Sequence, residues 1–222
     1  MGFNRGMPTF RLFRLVALAA FCCSAAPAFA VAPESPGQGA GQAAGQAAKP
    51  AAHGAPPIAA QARRKAIDDL FARLGRAPDG AAAAPIREVI LRLWDRSGSP
   101  TADLLMARGE SLLKSGNGPQ SAALFDRIVT LYPDWTSAWR RRAQSALLQG
   151  DSEGAMLDLD HALSIEPRNF LAMTELATLM RAEGRDGPAL ELMRRALALD
   201  PQNDDLRAET EKLARKVEGD RI

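Results

Sequence analysis

The chain is poor in cysteine, histidine and aromatic rings. Its two cysteines, Cys22 and Cys23, sit side by side near the N-terminus, and its two histidines are His53 and His161. With no cysteine beyond residue 23, the rest of the chain has neither a disulfide framework nor thiol chemistry, so its stability must come from packing. One tyrosine, three tryptophans and no alternating β-branched runs leave no strand signal. A single histidine after residue 53 gives no metal-ligand spacing: Asp158 and Asp160 flank His161, but i and i+2 on a helix point apart. There is no phosphate-binding loop and no metalloprotease helix. Neither charge dominates, with 28 Lys and Arg against 26 Asp and Glu.

What is present begins with residues 1–30. Arg5, Arg11 and Arg14 stand there without an acid, an apolar run follows from Leu15 to Phe21, and Ala28-Phe29-Ala30 is a small-x-small cleavage signal. The expectation is an export signal removed after Ala30, placing the protein in the periplasm. The run falls short of the roughly 20 apolar residues a bilayer span needs. Lipid anchoring at Cys22 or Cys23 is disfavoured because Phe21, not a small residue, precedes Cys22. Loss of residues 1–30 leaves 25 basic against 26 acidic residues, a net charge of about −1. That balance gives no footprint for nucleic acid or an anionic membrane surface.

Residues 31–57 are mostly Ala, Gly, Gln and Pro, including Gly37-Gln38-Gly39-Ala40-Gly41-Gln42. Such a segment cannot bury a core and reads as a disordered linker. Its glycines follow no strand and open no helix, so they are not a dinucleotide loop. His53 reads as a solvated side chain within this tract.

From residue 58 to 222 the chain reads as helical. Three prolines stand 34 residues apart, at Pro133, Pro167 and Pro201, and close units 102–135, 136–169 and 170–203. Laid in register, the units carry small residues at Gly109, Ala143 and Ala177 and again at Ser121, Ala155 and Ala189. Bulky residues follow at Phe125, Leu159 and Met193, then Ile128, Ala162 and Ala196. Between the halves of each unit stand Gly116-Asn117, Gly150-Asp151 and Gly184-Arg185. There a glycine can end one helix left-handed and Asn or Asp can cap the next, with Asp186 a substitute cap in the third unit. A 34-residue period built this way predicts an all-α fold: a right-handed helix-turn-helix solenoid with capping helices at both ends. Ile67, Leu70, Phe71 and Leu74, then Ile86, Val89, Ile90, Leu93 and Trp94, predict a helical hairpin over 58–98, a degenerate unit covering the N-terminal end. Leu206, Thr210, Leu213 and Val217 predict a final capping helix over 204–218.

These columns resemble the tetratricopeptide repeat family over 102–203. One column departs from it: a position usually filled by a large aliphatic residue holds Arg108 and Arg142, with Leu176 in the third unit. The arginines must snorkel to the surface or find a carboxylate. Ser97-Gly98-Ser99-Pro100-Thr101-Ala102-Asp103-Leu104-Leu105-Met106, with Trp139 and Glu166-Pro167-Arg168-Asn169-Phe170, further resembles exported members from Gram-negative bacteria that have no established activity.

The resemblance implies a concave groove lined by the first helices. Its columns would be Asp103, Ser137 and Leu171; Met106, Arg140 and Thr174; Glu110, Gln144 and Thr178; Leu113, Leu147 and Arg181. Arg140, Gln144 and Arg181 among Asp103 and Glu110 match a carboxylate clamp only in part. The expected occupant is a protein or peptide segment of mixed apolar and basic character, with no cofactor. The alternative is an architectural, self-associating envelope protein. A hydrolase built on Gly150-Asp151-Ser152 is the remote reading, because that triplet sits where a helix cap is needed and nothing supplies a paired base.

Overall fold

The computed structural model describes residues 57–219. The expected export signal (1–30), nearly all of the expected linker (31–57) and His53 lie outside the described residues. Among the described residues there are nine helices and no strand: α1 (Pro57–Leu74), α2 (Gly80–Trp94), α3 (Pro100–Lys114), α4 (Gly118–Leu131), α5 (Thr136–Leu148), α6 (Ser152–Ile165), α7 (Phe170–Ala182), α8 (Asp186–Leu199) and α9 (Asp204–Glu218). None of them is long and apolar enough to cross a membrane.

The repeat turns share one local chemistry. Gly116, Gly150 and Gly184 have φ of 74°, 77° and 75°, a left-handed conformation that a Cβ disfavours. Asn117 and Asp151 then accept hydrogen bonds from the amides of Gln120 and Gly154 and so cap α4 and α6. In the third turn the glycine sets the same register, which puts Arg185 at the cap position, where its side chain makes no cap bond. Asp186 is not the substitute cap that its type suggests. It is already the first residue of α8, and its carboxylate meets Lys216 of α9 at 2.5 Å.

The repeat columns make the core. Gly109, Ala143, Ala177, Ser121, Ala155, Ala189, Phe125, Leu159, Met193, Ile128, Ala162 and Ala196 are all buried. The need for a small residue is explicit at Gly109, where an added Cβ would stand 2.6 Å from the Phe125 ring. Each pair closes on itself (α3 with α4, α5 with α6, α7 with α8), and α4 packs on α5, α6 on α7 and α8 on α9. α9 is capped by Asn203 and buries Leu206, Thr210 and Leu213. Val217, expected on the same stripe, is exposed, since no described element follows to cover the last turn.

The N-terminal hairpin caps a different surface from the one its place in the chain suggests. α2 does not pack along α3 as a preceding repeat would. Instead Ile67, Leu70, Leu74, Ala83, Ile90 and Trp94 join one core with residues of α5 to α9. The first repeat has a small core of its own around Met106, Phe125, Ile128 and Trp135. Long-range anchors fix this placement. Arg87 of α2 grips the fully buried Asp200 through two hydrogen bonds of 2.5 and 2.9 Å. Gln202 donates to the Ala77 carbonyl, and Arg168 reaches Asp68 of α1 at 2.7 Å. The rings of Phe71, Trp94 and Phe170 form a triangle with centroids 5.4 to 6.3 Å apart. The physical reason is apolar area. The hairpin's apolar residues share one core with residues of α5 to α9, with Phe71 and Trp94 directly on Phe170.

Candidate functional site

The inner face of the solenoid is built by α3, α5 and α7, and it divides lengthwise. Toward the start of these helices the hairpin and its connection cover it. Asp103 accepts from the Ser97 amide and hydroxyl at 2.8 and 2.7 Å. The Ser137 hydroxyl donates to Asp95 at 2.8 Å, and the Trp135 indole donates to the Trp94 carbonyl. Ser137, Met106 and Arg140 are buried, while Leu171 and Thr174 are half-buried. Arg63 of α1 is drawn into the same region. Burial lowers its pKa from the ordinary arginine value, and the charge of Asp103 works in the opposite direction.

Toward the end of the helices the face is open. Leu147 and Thr178 are exposed, and Leu113, Gln144 and Arg181 are half-buried. Between the two halves runs a polar ladder. Arg141 reaches back to Glu110 at 2.8 Å and donates to the Gln144 side-chain Oε1 at 3.1 Å. Glu175 accepts from Gln144 at 2.7 Å and from Arg140 at 2.8 Å. Glu110 and Gln144 are repeat equivalents, as are Arg141 and Glu175, so successive inner helices are joined by the same two positions with different chemistry.

Of the twelve groove residues expected from the sequence, the structure therefore assembles two groups with different fates. Asp103, Ser137, Arg140 and Glu110 are engaged within the chain, and the partner-facing acids expected at Asp103 and Glu110 are met by Ser97 and Arg141. Gln144 is likewise bonded to Arg141 and Glu175, Met106, Leu171 and Thr174 lie on the covered half, and Leu113, Leu147, Thr178 and Arg181 remain on the open half. Arg141 and Glu175 escaped sequence reasoning because their column reads Ala107, Arg141, Glu175, with no constant residue type. The signal that could have found them is positional, a long charged residue one place after the second-column residue in the second and third units.

On the outer side the two arginines of the aliphatic column part company. Arg108 is exposed. Arg142 donates to both oxygens of the buried Asp158, reaches Asp126 at 3.3 Å and lies 4.5 Å from the Trp139 ring centroid. Hydrogen bonding to Asp158 raises the Arg142 pKa above its ordinary value. His161 stacks on Trp139 with centroids 3.9 Å apart. Ser152 opens α6, nine residues earlier. A helix rises about 1.5 Å per residue, so roughly 13 Å of axis separates the two, too far for a nucleophile and its base. Among the described residues, no group of three His, Cys, Asp or Glu side chains could hold a metal ion.

Comparison with known proteins agrees with this architecture. Residues 106–167 match the family model described as Tetratricopeptide repeat. A TPR repeat-containing protein of Rhizobium etli is 31% identical over 163 residues, which cover 73% of this chain and 80% of that protein. Tetratricopeptide repeat protein 36 of Danio rerio is 33% identical over 99 residues, 43% of this chain and about half of that protein's length. Among solved structures, the Sgt2 TPR domain from Aspergillus fumigatus superposes with a TM-score of 0.50 at 19% identity, covering 54% of this chain and 81% of that one. The Yersinia enterocolitica type III secretion chaperone SycD, solved with a peptide of the translocator YopD, gives 0.50 at 13% identity, covering 54% and 94%. At these identities the structural likeness concerns the fold alone.

Proposed function

Because the chain belongs to the tetratricopeptide repeat family, we propose that it is a protein-interaction module that seats a peptide or protein segment on the open half of its inner face. The observation that carries this reading is the lengthwise division of that face. Ser137 and Arg140 are spent on internal contacts, while Leu147, Thr178 and Arg181 stand in one stretch where, among the described residues, Leu147 and Thr178 are left exposed. An extended segment with apolar side chains for Leu113 and Leu147 and polar ones for Thr178 and Arg181 matches that stretch. SycD, whose structure carries a translocator peptide, shows that this fold serves such a purpose in another protein.

The test is affinity capture on the full chain, comparing wild type with a Leu147→Arg and Arg181→Glu double variant. Surface changes of this kind alter stability by no more than about 0.5 kcal/mol, so helicity by circular dichroism should stay constant. A defined set of captured proteins should fall by about tenfold or more, the scale of losing one interfacial anchor. Unchanged capture would remove the open half as the binding surface.

The periplasm is the proposed place of action, supported by the basic, apolar and small-x-small order of residues 1–30. Cell fractionation with mass spectrometry of the N-terminus should find Val31 as the first residue in the periplasmic fraction. An intact Met1 in the cytoplasm would end that proposal.

A second reading, self-association, is favoured by one observation. Leu104, Ala138 and Ala172 are repeat equivalents on the seam that receives the preceding helix; Leu104 is 71% exposed whereas both alanines are fully buried. With the hairpin elsewhere, the first repeat keeps an open seam that a second copy could cover. In sedimentation, a concentration-dependent dimer lost on Leu104→Lys would support this reading over a foreign groove ligand.

A further inference from the structure

We infer that the α1–α2 hairpin is a displaceable occupant of the inner face, and that the surface beneath it is a second docking site for an amphipathic helix with an arginine seven residues before an aromatic side chain. The inference rests on the reading of the inner face as the binding surface and extends it to the half that is now covered.

Four observations carry it. First, the hairpin is attached differently from everything else in the fold. The backbones of α1 and α2 lie close to one another, but neither runs closely along any helix of the solenoid; large or long side chains bridge the gap. Second, the covered state leaves polar groups unmet. The Trp94 indole nitrogen is buried with no hydrogen-bond partner. Arg63 is half-buried, with a long 3.5 Å contact to the Trp94 carbonyl and the charge of Asp103 nearby. Groups left in that condition oppose closure. Third, the connection to α3 turns at Gly98, φ 84°, and is held by Ser97 on Asp103 and by the Tyr132 hydroxyl on Ser99, contacts made by the connection and not by α1 or α2. Fourth, what lies beneath includes Ser137 of α5, which donates to Asp95 at the end of α2, and the anchors Asp200 and Phe170.

The occupant in place defines the chemistry of its replacement. Asp200 is fully buried and its carboxylate is held by Arg87, so a competing segment must bring a cation to that point, and arginine matches both oxygens. Trp94 meets Phe170 at 5.4 Å, so an aromatic ring must arrive there. Arg87 and Trp94 are seven residues apart on α2, two helical turns on one face. A partner helix that repeats this spacing satisfies both contacts at once.

Hydrogen exchange on the full chain tests the opening without any partner. Amides of α1 and α2 should exchange about tenfold or more faster than those of α5 to α8, as expected for a separately opening unit. Arg87→Ala, and separately Asp68→Asn at the exposed end of the Arg168 bridge, should raise hairpin rates while leaving α5 to α8 unchanged. A fluorescent synthetic peptide copying residues 80–96 should then bind the Arg87→Ala chain about tenfold or more tighter than wild type, one decade being about 1.4 kcal/mol. The same peptide with its Arg87 and Trp94 replaced by alanine should lose that binding. Equal exchange of hairpin and solenoid in all three chains would overturn the proposal, as would equal binding of the two peptides. A dimeric Arg87→Ala chain that takes up no peptide would also overturn it, giving the surface to a second copy. Failure of the Leu147 and Arg181 variants to change capture leaves these readouts untouched, so the two readings fail separately.

Discussion

Phe125→Ala is expected to lower stability by about 3–5 kcal/mol, the cost of emptying a fully buried aromatic site. The ring is completely buried, and Gly109 opposite has no side chain with which to collapse into the space. Its core is also the small one: Ala102, Met106, Ile128, Val129, Trp135 and Ala138 are the buried residues it shares, separate from the larger core of the hairpin and later repeats. In a repeat array whose units contact chiefly their neighbours, the loss should stay local. Urea unfolding followed by tryptophan fluorescence should therefore split, and hydrogen exchange should show α3 and α4 opening while α7 to α9 stay protected. A loss below about 1 kcal/mol, or one spread evenly along the chain, would contradict this account of the first repeat.

Asn169→Ala should cost about 2–3 kcal/mol, more than an ordinary helix cap. Asn169 is almost wholly buried. Its side-chain oxygen accepts from the Ala172 amide and caps α7, a contact worth about 0.5–2 kcal/mol. Its side-chain nitrogen donates to the Thr136 hydroxyl at 3.1 Å, and that hydroxyl donates in turn to the Ala162 carbonyl at 3.0 Å. One amide thus ties the starts of α5 and α7 to the end of α6, and its removal leaves a buried hydroxyl oxygen without its donor, an added cost of about 1 kcal/mol or more. A double-mutant cycle with Thr136→Val, read by thermal or urea unfolding, should give a coupling of about 0.5–1.5 kcal/mol. Strict additivity would mean that the network adds nothing to the cap.

Much of the fold was legible because repetition multiplies a weak signal. A glycine or small residue at one position says little, but Gly109, Ala143 and Ala177 at one spacing from Phe125, Leu159 and Met193 specify which faces meet. The cap in the third turn was misjudged at Asp186, because residue type suggested a cap where the turn had already fixed the register. The hairpin was legible as two amphipathic helices and illegible in its docking. An apolar stripe states that a face is buried without naming the surface that buries it, and Arg87 and Asp200 are 113 residues apart. For the same reason the covering of half the groove is not legible. Its column spacing is evident, but the engagement of Ser137 by Asp95 depends on a segment that local pattern would stack on the first repeat. The Glu110–Arg141 and Gln144–Glu175 links stayed hidden because the repeat conserves their positions and not their residue types.

The hairpin's anchors also impose an order on the making of the protein. The solenoid is assembled from neighbours in sequence, so each repeat can fold as soon as its second helix exists. The hairpin emerges first and has no such neighbour. Asp200 and Gln202 lie 113 and 125 residues beyond the groups they hold, and a loop of that length must close before the contact forms. During synthesis Phe71 and Trp94 therefore lack Phe170 until the third repeat begins, and Arg87 lacks Asp200 until that repeat is complete. The oldest part of the nascent folded domain is the last to find its place, and it spends that interval as an exposed amphipathic segment.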